Sequence, residues 1–179
     1  MLPRLLLGSI IVLVGVSAGC KTPSGGAPGI APEYAASIHL LMPRTVALEN
    51  FTQPISTTGD GRADSIEAIV RTRDSGGHDI KVVGTFQFEL YKLREGTTER
   101  VPARIAYWRV PLDTQEAYNK YWSPYGQNYR FHLTLENPPL PSGQYELHVQ
   151  LTTPEGEHLF HQREIKYAGG PVLPSERRY

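Results

Sequence analysis

The chain of 179 residues has a single cysteine, Cys20. No disulfide can form within a monomer, so a stable fold has to come from packing rather than cross-links. Neither sign of charge is in excess, because 18 basic and 18 acidic residues cancel formally. A balanced chain offers no basic field for nucleic acid, which is excluded as an expected partner. No apolar run reaches the roughly 20 residues that a membrane-spanning helix needs. The run at 5–16 is too short, and Gly8, Ser9 and Gly15 interrupt it. Catalytic signatures are missing too. There is no Gly-x-Ser-x-Gly elbow, no His-Glu-x-x-His pair and no glycine-rich phosphate loop with its lysine. The chain reads as a non-enzyme with no cofactor, and only a triad assembled from distant segments would oppose that reading.

The start of the chain has a definite layout. Arg4 supplies a positive charge, residues 5–16 an apolar stretch, and Ser17, Ala18 and Gly19 small side chains before Cys20. That order is the layout of a secretory signal. The sequence Val-Ser-Ala-Gly-Cys at 16–20 resembles the bacterial lipobox, with Ser17 standing where that pattern more often has Leu or Val. The resemblance implies a signal peptide at 1–19, a diacylglycerol on the Cys20 sulfur, cleavage before Cys20 and acylation of its new amino group. Each buried methylene contributes roughly 0.8 kcal/mol and one acyl chain anchors only marginally, so several chains on one residue would hold the protein on a bilayer. Lys21 follows the cysteine. In the sorting rule of enteric lipoproteins an Asp there marks the inner membrane, so Lys21 points to the outer one. Without residues 1–19 the chain keeps 17 basic and 18 acidic groups, since only Arg4 is lost.

Residues 20–34 are rich in Pro, Gly, Ser and Ala and cannot bury enough apolar surface to offset ordering. They read as the lipidated cysteine and a flexible tether. Residues 169–179 read as a frayed tail. Between them, 35–168 is long enough for one domain with a real core. Its dominant signal is alternation with period two, the mark of half-buried strands. At 65–73 Ile66, Ala68 and Val70 share one side. At 85–92 Phe86, Phe88 and Leu90 do so, at 127–136 Tyr129, Phe131, Leu133 and Leu135, and at 144–152 Tyr145, Leu147, Val149 and Leu151. Less regular strands are expected at 37–42, 45–50, 100–110 and 157–167, with Gly, Pro and Asp turns between them.

Seven or eight strands with turns between them predict a single all-β antiparallel sandwich. One short helix is expected at 114–121, capped by Asp113, with Glu116 three residues on and Pro111 and Pro124 bounding it. It should cross from one sheet to the other. The stretch Leu-Pro-Ser-Gly-Gln-Tyr-Glu-Leu-His-Val at 140–149 resembles the approach to the penultimate strand of immunoglobulin-like and fibronectin type III domains. The resemblance implies an immunoglobulin-like sandwich in which Tyr145 makes the tyrosine corner and Leu147 stands where antibody domains carry a cysteine. It supports a fold and not a function.

Tyr107, Trp108, Tyr118, Tyr121, Trp122, Tyr125 and Tyr129 crowd into 107–129. Such rings either bind sugars and partner proteins or close the open end of the sandwich. Tyr118, Tyr121 and Trp122 share one helical face, as either role needs, and the lid is the favoured reading. Trp108, Tyr118, Tyr121, Trp122 and Tyr125 are therefore the candidate binding residues. A twelve-residue loop at 56–67 places Asp60, Asp64 and Glu67 at positions 5, 9 and 12 of a calcium-loop pattern. Ser56 and Thr58 stand where two carboxylates are needed, so the expected reading is an Asp-Gly turn entering a strand. His158 and His161 are three apart, which on a strand puts them on opposite faces. His39, His78, His132 and His148 read as surface histidines. The functional expectation is an envelope lipoprotein, held to the bilayer through Cys20, whose sandwich binds another envelope protein. The alternative is a carbohydrate- or peptidoglycan-binding module using the 107–129 aromatics.

Overall fold

Strand β3 (Ser65–Arg73) shows how the alternation is spent: Ile66, Ala68 and Val70 are wholly buried between two sheets, while Glu67, Arg71 and Arg73 lie on the other face. The computed structural model describes residues 41–94, 96 and 98–171, with Pro102 described in its backbone alone. Cys20, the segments expected to be signal and tether, and residues 172–179 lie outside the described residues. Among those described, nine strands and one helix follow in order. Besides β3 they are β1 (Thr45–Leu48), β2 (Gln53–Ile55), β4 (Gly84–Leu93), β5 (Arg100–Leu112), α1 (Gln115–Tyr121), β6 (Trp122–Ser123), β7 (Asn128–Thr134), β8 (Gly143–Thr152) and β9 (His158–Tyr167).

The strands form two antiparallel sheets. One runs β1-β3-β7-β6, with β2 also paired to β3, and the other runs β5-β4-β8-β9. Lettered in chain order with β2 set aside, this is the A-B-E-D sheet facing the C′-C-F-G sheet of immunoglobulin-like sandwiches. Seven strands match the expected ones. The two extra strands, β2 and β6, have three and two residues, too short to carry a period. The expected strand at 37–42 is not formed at 41–42, and its other residues lie outside the described ones. β1 and β2 are one edge strand interrupted at 49–52. In the gap the Thr52 hydroxyl stands in for the ladder, accepting from the Ile69 amide at 3.1 Å and lying 3.4 Å from the Ile69 carbonyl.

Between the sheets Phe86 and Phe88 of β4 meet Tyr129 and Phe131 of β7, with centroids 5.0–5.5 Å apart in the three close pairs. All four rings are fully buried. Tilted rings at this spacing contribute beyond their buried area. Gly84 opens β4 with φ +152°, and a Cβ there would come within 2.5 Å of the Thr152 carbonyl oxygen. The tyrosine corner forms as expected: the Tyr145 hydroxyl donates to the Pro141 carbonyl at 2.5 Å, and Leu147 is fully buried.

The helix crosses from β5 in one sheet to β6 in the other. Its cap differs from expectation. Thr114, not Asp113, is the N-cap, with its hydroxyl accepting from the Ala117 amide at 3.2 Å. Both residue types cap well, and with β5 running on to Leu112 the helix starts one residue later than expected. Beyond β9, Tyr167 donates to the Gly170 carbonyl at 3.1 Å, and Pro171 lies against Gly61.

Candidate functional site

The aromatic segment wraps the open side of the sandwich. Tyr118 of α1 donates its hydroxyl to the Val82 carbonyl, and the Val82 amide donates to the Tyr129 hydroxyl at 2.8 Å. Burial pushes both tyrosine hydroxyls up from their ordinary ionisation, so they stay neutral donors. Tyr121 tilts onto Phe131 at 4.9 Å, and Trp122 meets Tyr129 edge-on at 5.0 Å. Trp108 packs on the core from β5 and sends its indole N–H across to the Thr134 carbonyl at 2.7 Å. These four side chains are half-buried with their rings turned to the core. Tyr125 is different: it stands fully exposed at the tip of the β6–β7 turn. The candidate residues thus divide into a lid (Trp108, Tyr118, Tyr121, Trp122) and one exposed ring. They do not line up as a platform for a sugar.

The loop carboxylates serve the loop itself. Asp64 accepts from the Thr57 amide at 2.8 Å, the Thr57 hydroxyl at 2.9 Å and the Thr58 amide at 3.2 Å. Burial opposes its ionisation, and those donors outweigh burial and hold its pKa below the usual carboxylate value. Asp60 accepts from the Arg62 amide at 2.8 Å and from Ser56 at 3.1 Å. Glu67 sits on the outer face of the first sheet, near Arg130 and His132, at 3.8 and 3.6 Å. The three carboxylates do not converge, and among the described residues no group of three His, Cys, Asp or Glu could hold a metal ion.

The histidines hold two findings. His158 and His161 do take opposite faces, with His158 beside Gln150 and Thr152 and His161 accepting the Leu48 amide through Nδ1 at 3.1 Å. His148 is not a surface histidine but is only 6% exposed. It lies under Tyr91 and Phe160, with ring centroids 5.0 and 5.2 Å away, and its Nε2 is 2.6 Å from Glu146. Arg100 closes on Glu146 at 3.2 Å. On the adjoining strands Tyr91 donates to Glu89 at 2.8 Å, Arg104 pairs with Glu89, and the Arg104 guanidinium covers the Tyr107 ring at 4.7 Å. Burial opposes ionisation of Glu89, but Tyr91 and Arg104 prevail and its pKa falls below the usual value. This strip was hidden in the sequence because its members are spread over four strands. Only the alternation of Glu89 with Tyr91, and of Glu146 with His148, hints at a shared face.

The strip fastens β5 to the sheet, and among the described residues no strand pairs with the far edge of β5. The Thr153 amide bonds the Glu157 carbonyl at 2.9 Å, which sets the phase of the β8–β9 ladder. Backbone groups alternate between the two edges of a strand. Carried through the unbroken registers of β8, β4 and β5, the alternation turns Ala106, Trp108 and Val110 toward β4 and the backbone groups of Tyr107 and Arg109 outward. A register shift beside Leu90 makes Ile105 an extra residue, a bulge, and Pro111 bounds the window on the other side. Ile105 and Tyr107 are 42% and 41% exposed.

Elsewhere single backbone positions are met by crossing side chains. The Leu48 amide and carbonyl on β1 are taken by His161 and Arg163 of β9, the carbonyl at 3.3 Å, and Trp108 caps Thr134 on β7.

No protein-family model, curated protein or solved structure matches this chain.

The outer face of the first sheet also carries a groove of about 440 Å³, lined by Phe51, Ile55, Glu67, Ile69, Arg71 and Asn128 among others. Its charges are spent on one another: Arg71 pairs with Glu49 at 2.8 Å, and Arg130 lies 3.8 Å from Glu67.

Proposed function

We propose that this protein is a lipid-anchored, non-catalytic component of the bacterial envelope, held through acylated Cys20, on the outer rather than the inner membrane. Its sandwich binds another envelope protein along the open edge of β5. The observation that carries the binding half is the contrast between edges. Leu48 of β1 and Thr134 of β7 are capped by crossing side chains, whereas the Tyr107–Arg109 backbone is turned outward beside two exposed apolar side chains. An unpaired edge is a template for an added strand. The anchoring half rests on the residues at 16–20 and on the tether composition that follows them.

The glycan-binding alternative asks for exposed aromatic faces. Four of its five rings are turned to the core, which favours protein binding.

The test is in-cell crosslinking from a photoreactive residue at Tyr107, with Tyr118 as the comparison position and a Cys20→Ser chain as the anchor control. A discrete protein adduct from position 107, absent from 118 and lost with the anchor, is the expected result. Strong adducts from 118 alone would refute the β5 edge, and unchanged membrane association of the Cys20→Ser chain would refute the anchor.

A further inference from the structure

The β5 edge has a sign and a length as well as an opening. Its sequence, RVPARIAYWRVPL, holds three arginines and no acid. Arg100 is neutralised by Glu146 and Arg104 by Glu89 on neighbouring strands. Arg109 is exposed and makes no ion pair among the described residues. Glu116 and Lys120 of α1 share a crevice with it and offset each other. One positive charge is therefore left over at the outward-facing end of the window. Two residues before it, on the same face, comes the Tyr107 ring, and next to that the Ile105 side chain on its bulge.

Both ends of the window are closed to further pairing. A bulge bends a strand and interrupts its ladder, and proline has no amide to donate. Guards of this kind prevent open-ended sheet-to-sheet association. Among the described residues they leave Tyr107 and Arg109 as the outward-turned pair between them, a window suited to a short strand in one register.

We infer that the partner presents a short extended acidic-apolar segment, which adds antiparallel to β5 with a carboxylate opposite Arg109 and an apolar side chain opposite Tyr107. The inference rests on the protein-binding reading above and deepens it. In an antiparallel pair the partner runs from its acid to its apolar residue two positions later, so the recognised pattern is Glu/Asp-x-apolar. The backbones of Tyr107 and Arg109 supply the ladder, and opposite charges facing each other across strands contribute about 0.2–1 kcal/mol relative to a neutral pair. A second copy of this chain fits less well, because it would bring another β5 with three arginines and no acid against the first.

The test uses the full chain purified in detergent and two labelled peptides, Thr-Glu-Thr-Phe-Thr-Val and the same sequence with Lys for Glu. Fluorescence anisotropy should show the acidic peptide binding about three- to tenfold more tightly, as expected when a favourable cross-strand charge pair is exchanged for a repulsive one. Arg109→Glu should reverse that order without disturbing the fold, because its side chain is exposed. Amide exchange should slow at Tyr107 and Arg109 on adding the acidic peptide. Tyr107→Pro should abolish binding of both peptides, at an edge where proline is already tolerated. Equal binding of the two peptides, or no protection at Tyr107 and Arg109, would overturn the inference. Peptide-independent dimerisation lost in Tyr107→Pro would overturn it in favour of a second copy. None of these outcomes decides the crosslinking test of a protein partner, so failure of the segment and failure of the binding reading remain separable.

Discussion

Tyr145→Phe removes one hydroxyl from the corner that ties the β7–β8 connection to β8. The ring is 1% exposed and stays in place as phenylalanine, so apolar burial is unchanged. What is lost is the donor to the Pro141 carbonyl, now at 2.5 Å. Burial, and next the neighbouring Tyr167, hold the hydroxyl's ionisation above its ordinary value, so it is a neutral donor throughout the physiological range. Pro141 itself is exposed, and water can reach its carbonyl in the variant. The cost is therefore that of a net hydrogen bond, about 1–1.5 kcal/mol, rather than the larger penalty of an orphaned buried acceptor. For a domain of this size that corresponds to a fall in Tm of roughly 3–8 °C. Urea unfolding should show a lower midpoint at an unchanged slope, since the surface exposed on unfolding is the same. Tyr125→Phe is the matched control: it deletes the same atom from a fully exposed ring, and a surface change of this kind stays within about 0.5 kcal/mol. Equal midpoints for Tyr145→Phe and the wild type would refute the reasoning and leave the corner a geometric accompaniment of the fold with no energetic role.

Other expected outcomes follow from the seams and the loop. Trp108→Phe deletes the indole donor that caps Thr134 while keeping an aromatic ring, and should cost about 1 kcal/mol in chemical denaturation, with faster exchange in the β7 edge amides. Asp64→Ala leaves the Thr57 and Thr58 amides without their acceptor and should lower stability by about 1 kcal/mol, as loss of a capping side chain does, with no change on adding calcium. His161 accepts the Leu48 amide only when Nδ1 is unprotonated, and burial followed by the nearby Arg163 lowers its pKa in the folded chain. The unfolded chain binds the proton first, so this contribution is complete above the ordinary histidine value of about 6.5. It is lost as pH falls from there through the folded value. Unfolding free energies measured from pH 7.5 down to pH 5 should therefore decline, and His161→Gln should flatten that decline. Phe88→Ala opens the centre of the four-ring cluster and should cost about 3–5 kcal/mol, read by the same unfolding assay.

Much of the fold was legible because period two is a local signal. Ile66, Ala68 and Val70, or Phe86, Phe88 and Leu90, point the same way in any half-buried strand, and the core claimed all six. Tyr145 was legible through the resemblance of 140–149 to immunoglobulin-like domains, which implied its corner. β2 was not, because three residues including Pro54 carry no period and pair only because β3 is already there. The choice of Thr114 over Asp113 as cap was undecidable from residue type, since both side chains can accept the same amide.

The amino-acid sequence alone determined the charge balance, the single thiol, the lipobox-like start, the positions of seven strands and the helix that joins the sheets. These depend on composition and on neighbours within a few residues. Only the tertiary structure decided how the aromatic residues were used. Trp108 and Trp122 become lid rather than platform because Thr134 and Tyr129, from another strand, lie within reach. It also decided that His148 is buried, since its cover comes from Tyr91 and Phe160 on the strands at either side. And it decided which backbone groups of β5 face outward. That depends on the phase of backbone hydrogen bonding across four strands, and strand order and register are set by contacts between residues far apart in the chain.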